Sequence, residues 1–122
     1  VISLHGKERG RAHPDNVAYA NRLARAGFLV LTPQMPWYDY SAPPETAFRL
    51  IDELVRRFAT PAHKVFVAGH SQGAPYALFY STAHTPPPPL SGVILLAPGH
   101  LIHRSAVIRK VTAQDVAEAR EM

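Results

Sequence analysis

The sequence has 122 residues and contains no cysteine. This excludes a disulfide framework, thiolate chemistry and metal sites built on cysteine ligands. The apolar runs are only as long as a strand, so no segment is predicted to cross a membrane. There is no Gly-x-Gly-x-x-Gly sequence and no Walker-type loop. Nicotinamide and nucleotide binding are therefore not favoured, and the sequence predicts no cofactor.

Charge is also sparse. Only 18% of the residues are charged while 47% are hydrophobic, which is typical of a globular domain. The net charge of +4 comes from basic residues that are mostly scattered, with one tighter group at Lys7, Arg9 and Arg11. Scattered arginines are typical of a solvated helix face, so no nucleic-acid partner is predicted. The tighter group favours either a solvated loop or attraction of an anionic substrate, such as a carboxylate-bearing ester or lactone.

Short apolar runs alternate with helical patterns along the chain. Four runs are predicted as buried strands, at residues 1–4, 28–31, 65–68 and 93–96. Helical spacing of apolar residues lies between them, at residues 15–24, 45–58 and 74–80, and another helix is predicted at 113–120. An alternation of this kind predicts an α/β fold, with a parallel sheet covered by helices on both faces.

Helix ends are also marked in the sequence. Asp15 or Asn16 is predicted to cap the first helix, and Gly27 follows that helix where a left-handed residue is favoured. Pro75 falls in the first turn of the third helix, where a missing N–H costs least. Four consecutive prolines at 86–89 are predicted to be an extended connector rather than a recognition motif.

The pentapeptide Gly-His-Ser-Gln-Gly occupies residues 69–73, directly after the third predicted strand and before a helix. A serine hydroxyl becomes a nucleophile only when it is exposed, held in place and paired with a base. A tight strand-to-helix turn exposes and holds Ser71, and Gly69 and Gly73 avoid side-chain clashes there. The backbone N–H of Gln72 would face developing negative charge at the helix N-terminus. The alternative is a Gly-Ser turn without chemistry, which would not explain this placement.

With these motifs the chain resembles the α/β-hydrolase superfamily, in particular its small esterase and dienelactone-hydrolase-like members, over residues 1–100. The resemblance depends on four segments: Leu-His-Gly at 4–6, Ala-Gly-Phe-Leu-Val at 26–30, the pentapeptide at 69–73 and Leu-Leu-Ala-Pro at 95–98. It implies that the four strands are the third to sixth of the family's sheet, in the spatial order second, first, third, fourth. Ligand would then bind at the carboxyl ends of the first and third strands, where the order reverses.

The resemblance also implies roles for residues near Ser71. Lys7 would donate the second oxyanion-hole N–H through its backbone, beside the N–H of Gln72. His5 would support that loop, and His5, Gly6, Trp37 and His100 are candidate pocket residues. Trp37 could equally serve to anchor a loop.

A complete triad cannot be assigned. In the family the acid and the histidine follow the seventh and eighth strands, and neither strand is present. If the chain were complete, His100 would be the first candidate base. His100 and His103 lack a third ligand, so no metal site is predicted.

Two functions are compatible with this pattern. The first is a serine hydrolase that cleaves a carboxylic ester, thioester or lactone through an acyl-enzyme on Ser71, with the rest of the triad outside this chain. The alternative is a non-catalytic protein of the same fold that binds a ligand or a partner. For either function the expected partner is a small molecule, and neither a nucleic acid nor a membrane is predicted as a partner. A cytoplasmic location is slightly favoured.

The organisation predicted is an α/β-hydrolase core fragment at 1–103, followed by a helical segment at 104–122 that starts a cap or lid. Val1 stands directly inside an apolar run, which suggests a fragment, a processed product or an incomplete gene. With half of the family's sheet, the chain alone is expected to be inactive and to expose apolar edge strands that favour aggregation.

Overall fold

The computed structural model describes residues 1–6, 10–36, 43–84 and 89–97. Its strands and helices follow in the order β1 (Ile2–Leu4), α1 (Pro14–Arg25), α2 (Pro44–Phe58), β2 (Phe66–His70), α3 (Gly73–Ala83) and β3 (Gly92–Leu96). No helix among these residues is long and apolar enough to span a bilayer.

The three strands form one parallel sheet in the order β1-β2-β3. Leu31 adds a parallel bridge to Ile2 on the other side of β1. Its backbone N–H donates to Val1 O at 2.9 Å, and its carbonyl accepts from Ser3 N–H at 2.8 Å. The spatial order is therefore the predicted one, and the predicted α/β fold is confirmed.

The structure differs from the sequence prediction at the second predicted strand, residues 28–31. Residues 28–31 make one bridge rather than a strand, so in the described part of the chain the sheet has three strands and the Ser71 turn follows the second of them. Phe28 and Leu29 are 46% and 58% exposed rather than buried. Among the described residues this segment has a neighbour on one side only, which explains both the exposure and the short pairing.

The first helix also begins differently from the prediction. It starts at Pro14, and His13 is its N-cap, with Nδ1 accepting from Asp15 N–H at 3.2 Å. Asn16 does not cap the helix because its side-chain amide donates to Gly10 O at 2.8 Å. At the other end Gly27 has φ +92°, the left-handed conformation that its position predicted.

The hydrophobic core lies on one face of the sheet. Leu4 and Val67 project from β1 and β2 and pack with residues of α2 and α3. The buried members of this cluster include Phe48, Ile51, Ala77 and Tyr80. On the opposite face α1 has no buried residue. Among the described residues, the buried cluster thus lies in the layer that holds the β2–α3 junction.

The predicted segment 104–122, with its helix at 113–120, lies outside the described residues, as do residues 86–88 of the proline run. The division of the chain at residue 103 therefore stays a prediction.

Candidate active site

Ser71 lies in the turn between the end of β2 and the start of α3. Its φ is +52°, a conformation that residues other than glycine rarely adopt. Two backbone hydrogen bonds hold it there: Ser71 N–H donates to Leu96 O at 3.0 Å, and Ala74 N–H donates to Ser71 O at 3.1 Å. The turn is therefore fixed both to β3 and to the first turn of α3.

The glycines on either side of Ser71 lie where backbones approach closely. A Cβ atom on Gly69 would lie 2.6 Å from Ala74 Cα, and one on Gly73 would lie 2.8 Å from the carbonyl carbon of Leu4. No real Cβ atom tolerates such contacts with backbone. Helix α3 can therefore begin directly above β1 and β2 only because both positions lack a side chain.

The carboxyl end of β1 brings a second segment to this turn. Gly6 is buried, and a Cβ atom on it would lie 3.2 Å from Ser71 Cβ and 3.6 Å from His70 Nδ1. Two segments that are 65 residues apart in the sequence, His5-Gly6 and Ser71, thus lie side by side at one edge of the sheet.

His5 is 2% exposed and uses both ring nitrogens. Nε2 accepts the backbone N–H of Met35 at 2.9 Å, so the proton of the neutral ring is on Nδ1, which lies 2.6 Å from Gly6 O. Burial lowers the pKa of His5, and the hydrogen bond to Gly6 opposes this in part. His5 is therefore a neutral cross-link between two loops rather than a base aimed at Ser71.

Gln34 and Met35 belong to this arrangement, although the sequence analysis did not find them. They follow Leu31, and the only signal for them is that the second segment ends at the same edge of the sheet as β1. Gln34 Nε2 lies 3.1 Å from His5 Nε2, and Gln34 Oε1 accepts Arg11 N–H at 3.3 Å.

Some of the predicted site residues lie at the Ser71 turn, and others lie outside the described residues. The structure brings Gly69, Gly73 and Gln72 to the same turn as Ser71. Lys7, Trp37 and His100 lie outside the described residues. Within the described ranges, no side chain forms a hydrogen bond with Ser71 Oγ, and no group of three or more His, Asp or Glu side chains could hold a metal ion.

Comparison with known families agrees with this architecture. The model of the alpha/beta hydrolase family matches residues 1–120. The chain belongs to that family. No curated protein and no solved structure matches it. A hydrolase-type function follows from the family, and the Ser71 turn lies at the sheet edge where ligands bind in open α/β folds.

In this hydrolase-family chain a cavity of about 200 Å³ lies beneath the turn, on the α1 side of the sheet. Its lining comes from the ends of the strands and from the first turns of α1: Ser3, Asp15, Asn16, Tyr19, Ala68, Gly69, His70 and Leu96. Burial raises the pKa of the Tyr19 phenol at its wall. Ser71 does not line this cavity, so it is not the pocket in front of the serine.

A second polar cluster ties α2 to α3. Tyr80 Oη donates to Asp52 Oδ1 at 2.7 Å, and His84 Nε2 lies 2.8 Å from Asp52 Oδ2. The rings of Tyr80 and His84 stack at 5.0 Å. Burial and the Asp52 hydrogen bond both raise the pKa of Tyr80. This cluster is at the end of α3 away from Ser71, where it joins two helices of the core layer.

Proposed function

We propose that this protein is a serine hydrolase that cleaves a carboxylic ester, thioester or lactone through an acyl-enzyme on Ser71. The observation that carries the proposal is the conformation of Ser71. A serine at φ +52°, in a tight strand-to-helix turn with glycines on both sides, is the arrangement that exposes a nucleophile in this family. Strained backbone of this kind costs stability and is concentrated at functional sites.

The chemistry proposed has two steps. Ser71 Oγ attacks the carbonyl carbon while its proton passes to a base outside the described residues. The protonated base then donates this proton to the alcohol, the thiol or the ring oxygen of the lactone as it leaves, and the acyl group stays on Ser71. In the second step water attacks this ester while the base takes its proton, and the base returns that proton to Ser71 Oγ as the acid is released.

Two backbone N–H groups are proposed for the oxyanion hole. Gln72 is the N-cap residue of α3, and its N–H makes no hydrogen bond to another described residue. It lies at a helix N-terminus, where negative charge is stabilised. Lys7 is proposed as the second donor because it follows Gly6, which packs against Ser71. Gly69 and Gly73 permit the turn, and Trp37 and His100 remain proposed pocket residues.

A fluorophosphonate probe tests the proposal in the full-length protein. We expect one phosphonyl group to be attached, at Ser71, and labelling to be lost in Ser71→Ala. Ser91 is exposed and lies outside the turn, so Ser91→Ala provides a control that should label normally. A folded full-length protein that does not react with the probe would exclude the serine-hydrolase proposal.

A non-catalytic binding protein of the same fold is the second candidate. It would differ from the first candidate in having no base for Ser71, and within the described residues no histidine or carboxylate forms a hydrogen bond with Ser71 Oγ. In that case a ligand would occupy the site without being cleaved. A full-length protein that binds an ester, leaves it intact and ignores the probe would identify this function.

A further inference from the structure

Gln34 connects two backbone segments that lie on either side of residues 7–9. Its Nε2 is 3.1 Å from His5 Nε2 and its Oε1 accepts Arg11 N–H at 3.3 Å. The side chain is exposed, so the hydrophobic core does not require it. A single amide group thus holds the end of β1 and the start of the loop before α1 at one point.

The hydrogen bonds fix the orientation of this amide. His5 Nε2 already accepts the N–H of Met35, so Nε2 carries no proton and can face only a donor. The NH₂ group of Gln34 must therefore face His5, and its oxygen is left to accept from Arg11. Reversing the amide would place an oxygen against the Nε2 lone pair and an NH₂ against the Arg11 N–H.

This orientation acts on the backbone beside Ser71. With Nε2 kept as an acceptor, the proton of His5 stays on Nδ1 and donates to Gly6 O at 2.6 Å. Gly6 in turn lies against Ser71, with 3.2 Å between its ideal Cβ position and Ser71 Cβ. On the far side Gly10 O accepts from Asn16 Nδ2 at 2.8 Å, so the segment that Gln34 holds is itself anchored to α1.

We propose that Gln34 is a positioning residue: it adds a second donor to that of Met35 at His5 Nε2, ties the His5 ring to the Arg11 backbone, and thereby helps to hold the Gly6 backbone against Ser71. The inference deepens the serine-hydrolase proposal and rests on it for its effect on catalysis. Its effect on His5 can be measured without activity. The carboxylate of a glutamate at position 34 would still accept Arg11 N–H, but it would present an acceptor to His5 Nε2 instead of a donor.

The test compares Gln34→Glu with Asn21→Asp in the full-length protein. Asn21 is exposed on α1, so Asn21→Asp makes the same amide-to-carboxylate change away from the site. The readouts are the rate of Ser71 labelling by a fluorophosphonate and the ¹⁵N signals of the His5 ring. The signals of His70, whose Nδ1 lies 3.6 Å from the ideal Cβ position of Gly6, are assigned separately.

In the unmodified protein His5 should show a protonated Nδ1 and a bare Nε2. In Gln34→Glu we expect the carboxylate to displace the Met35 N–H as the partner of Nε2, so that Nε2 gains a proton. The His5–Gly6 segment then shifts, and we expect labelling of Ser71 to slow about tenfold, because a small displacement of a group beside the reacting atom lowers the rate. Asn21→Asp should change neither the His5 signals nor the labelling rate, and circular dichroism should show that all three proteins are folded. A bare Nε2 or an unchanged labelling rate in Gln34→Glu would overturn the inference.

If the unmodified protein does not react with the probe, the serine-hydrolase proposal fails. The His5 spectra of the two variants then decide the remaining claim alone. If Nε2 is protonated in Gln34→Glu but not in Asn21→Asp, the contact between Gln34 and His5 is supported. Identical spectra of the two variants would overturn it.

Discussion

Ser71 combines an unusual backbone conformation with a side chain that the core does not need. A non-glycine residue at positive φ costs about 1 kcal/mol or more, and the two hydrogen bonds to Leu96 and Ala74 offset that cost. Backbone strain of this kind is found where a side chain must be held in a particular direction. Substitutions of Ser71 can separate the cost of the backbone conformation from the role of the hydroxyl group.

Ser71→Gly should be more stable than Ser71→Ala by about 1 kcal/mol, because glycine adopts φ +52° without a penalty and alanine does not. Urea unfolding of the two variants measures the difference. Both should be unreactive towards a fluorophosphonate. Equal stabilities would show that the turn is not strained in solution.

His5 should make the stability depend on pH. Its pKa is lowered in the folded protein by burial, whereas the unfolded chain titrates near the usual value of about 6.5. Below that pH the unfolded state binds a proton that the folded state does not, so stability falls as the pH is lowered. The slope due to this one group is at most about 1.4 kcal/mol per pH unit.

Urea unfolding between pH 7.5 and 5, in steps, tests this on the unmodified protein and on His5→Gln. The variant should be less stable at pH 7.5, because it loses packing and a ring hydrogen bond, but should lose less stability on acidification. A His5→Gln variant with the full acid sensitivity would assign that sensitivity to other groups.

At the scale of elements, the site depends on how closely α3 approaches β1 and β2. Gly73 lies against the backbone of Leu4, and Gly69 lies against the first turn of α3. A side chain at either position would push the helix from the sheet and displace Ser71 with it.

Gly73→Ala should therefore destabilise the protein by about 3 kcal/mol, as overpacking against backbone does. Gly27→Ala is the control: no atom lies within 4 Å of its Cβ position, and only its φ of +92° opposes the change. That variant should lose only about 1 kcal/mol. Chemical denaturation measures the stability of both variants. A larger loss for Gly27→Ala than for Gly73→Ala would contradict the close approach of α3 to β1.

The sequence predicted the elements well where local pattern and tertiary environment agree. Helix α2 carries a regular apolar stripe, and it lies where that stripe predicted. The run at 28–31 was wrongly predicted as a buried strand because its composition shows hydrophobicity but not how many neighbours it has. The Gln34–His5 contact joins residues 29 positions apart through an exposed amide, for which no sequence pattern exists.

At the scale of the whole molecule, the described sheet has apolar residues at both edges. Leu29 is 58% exposed beside β1, and Leu95 is 41% exposed on β3. Parallel sheets are ordinarily covered, and open apolar edges favour association between chains. The prediction that this chain alone is inactive and aggregates stays a prediction, and it can be tested at one edge.

Leu95→Lys should raise the fraction of this chain that remains monomeric, because a charge on an edge strand opposes pairing with a second chain. Leu78→Lys is the matched control, since Leu78 is 37% exposed but lies on α3 and not at a sheet edge. Analytical ultracentrifugation measures both. An equal gain from the two variants would attribute association to general hydrophobicity instead of the β3 edge.

The most direct test of the central claim is to trap the acyl-enzyme. The full-length protein is mixed with p-nitrophenyl acetate, quenched with acid and digested, and the peptides are analysed by mass spectrometry. We predict an acetyl group on Ser71 that disappears with time as water releases acetate, and that never forms in Ser71→Ala. Hydrolysis of the ester by folded protein without an acetyl group on Ser71 would contradict the account.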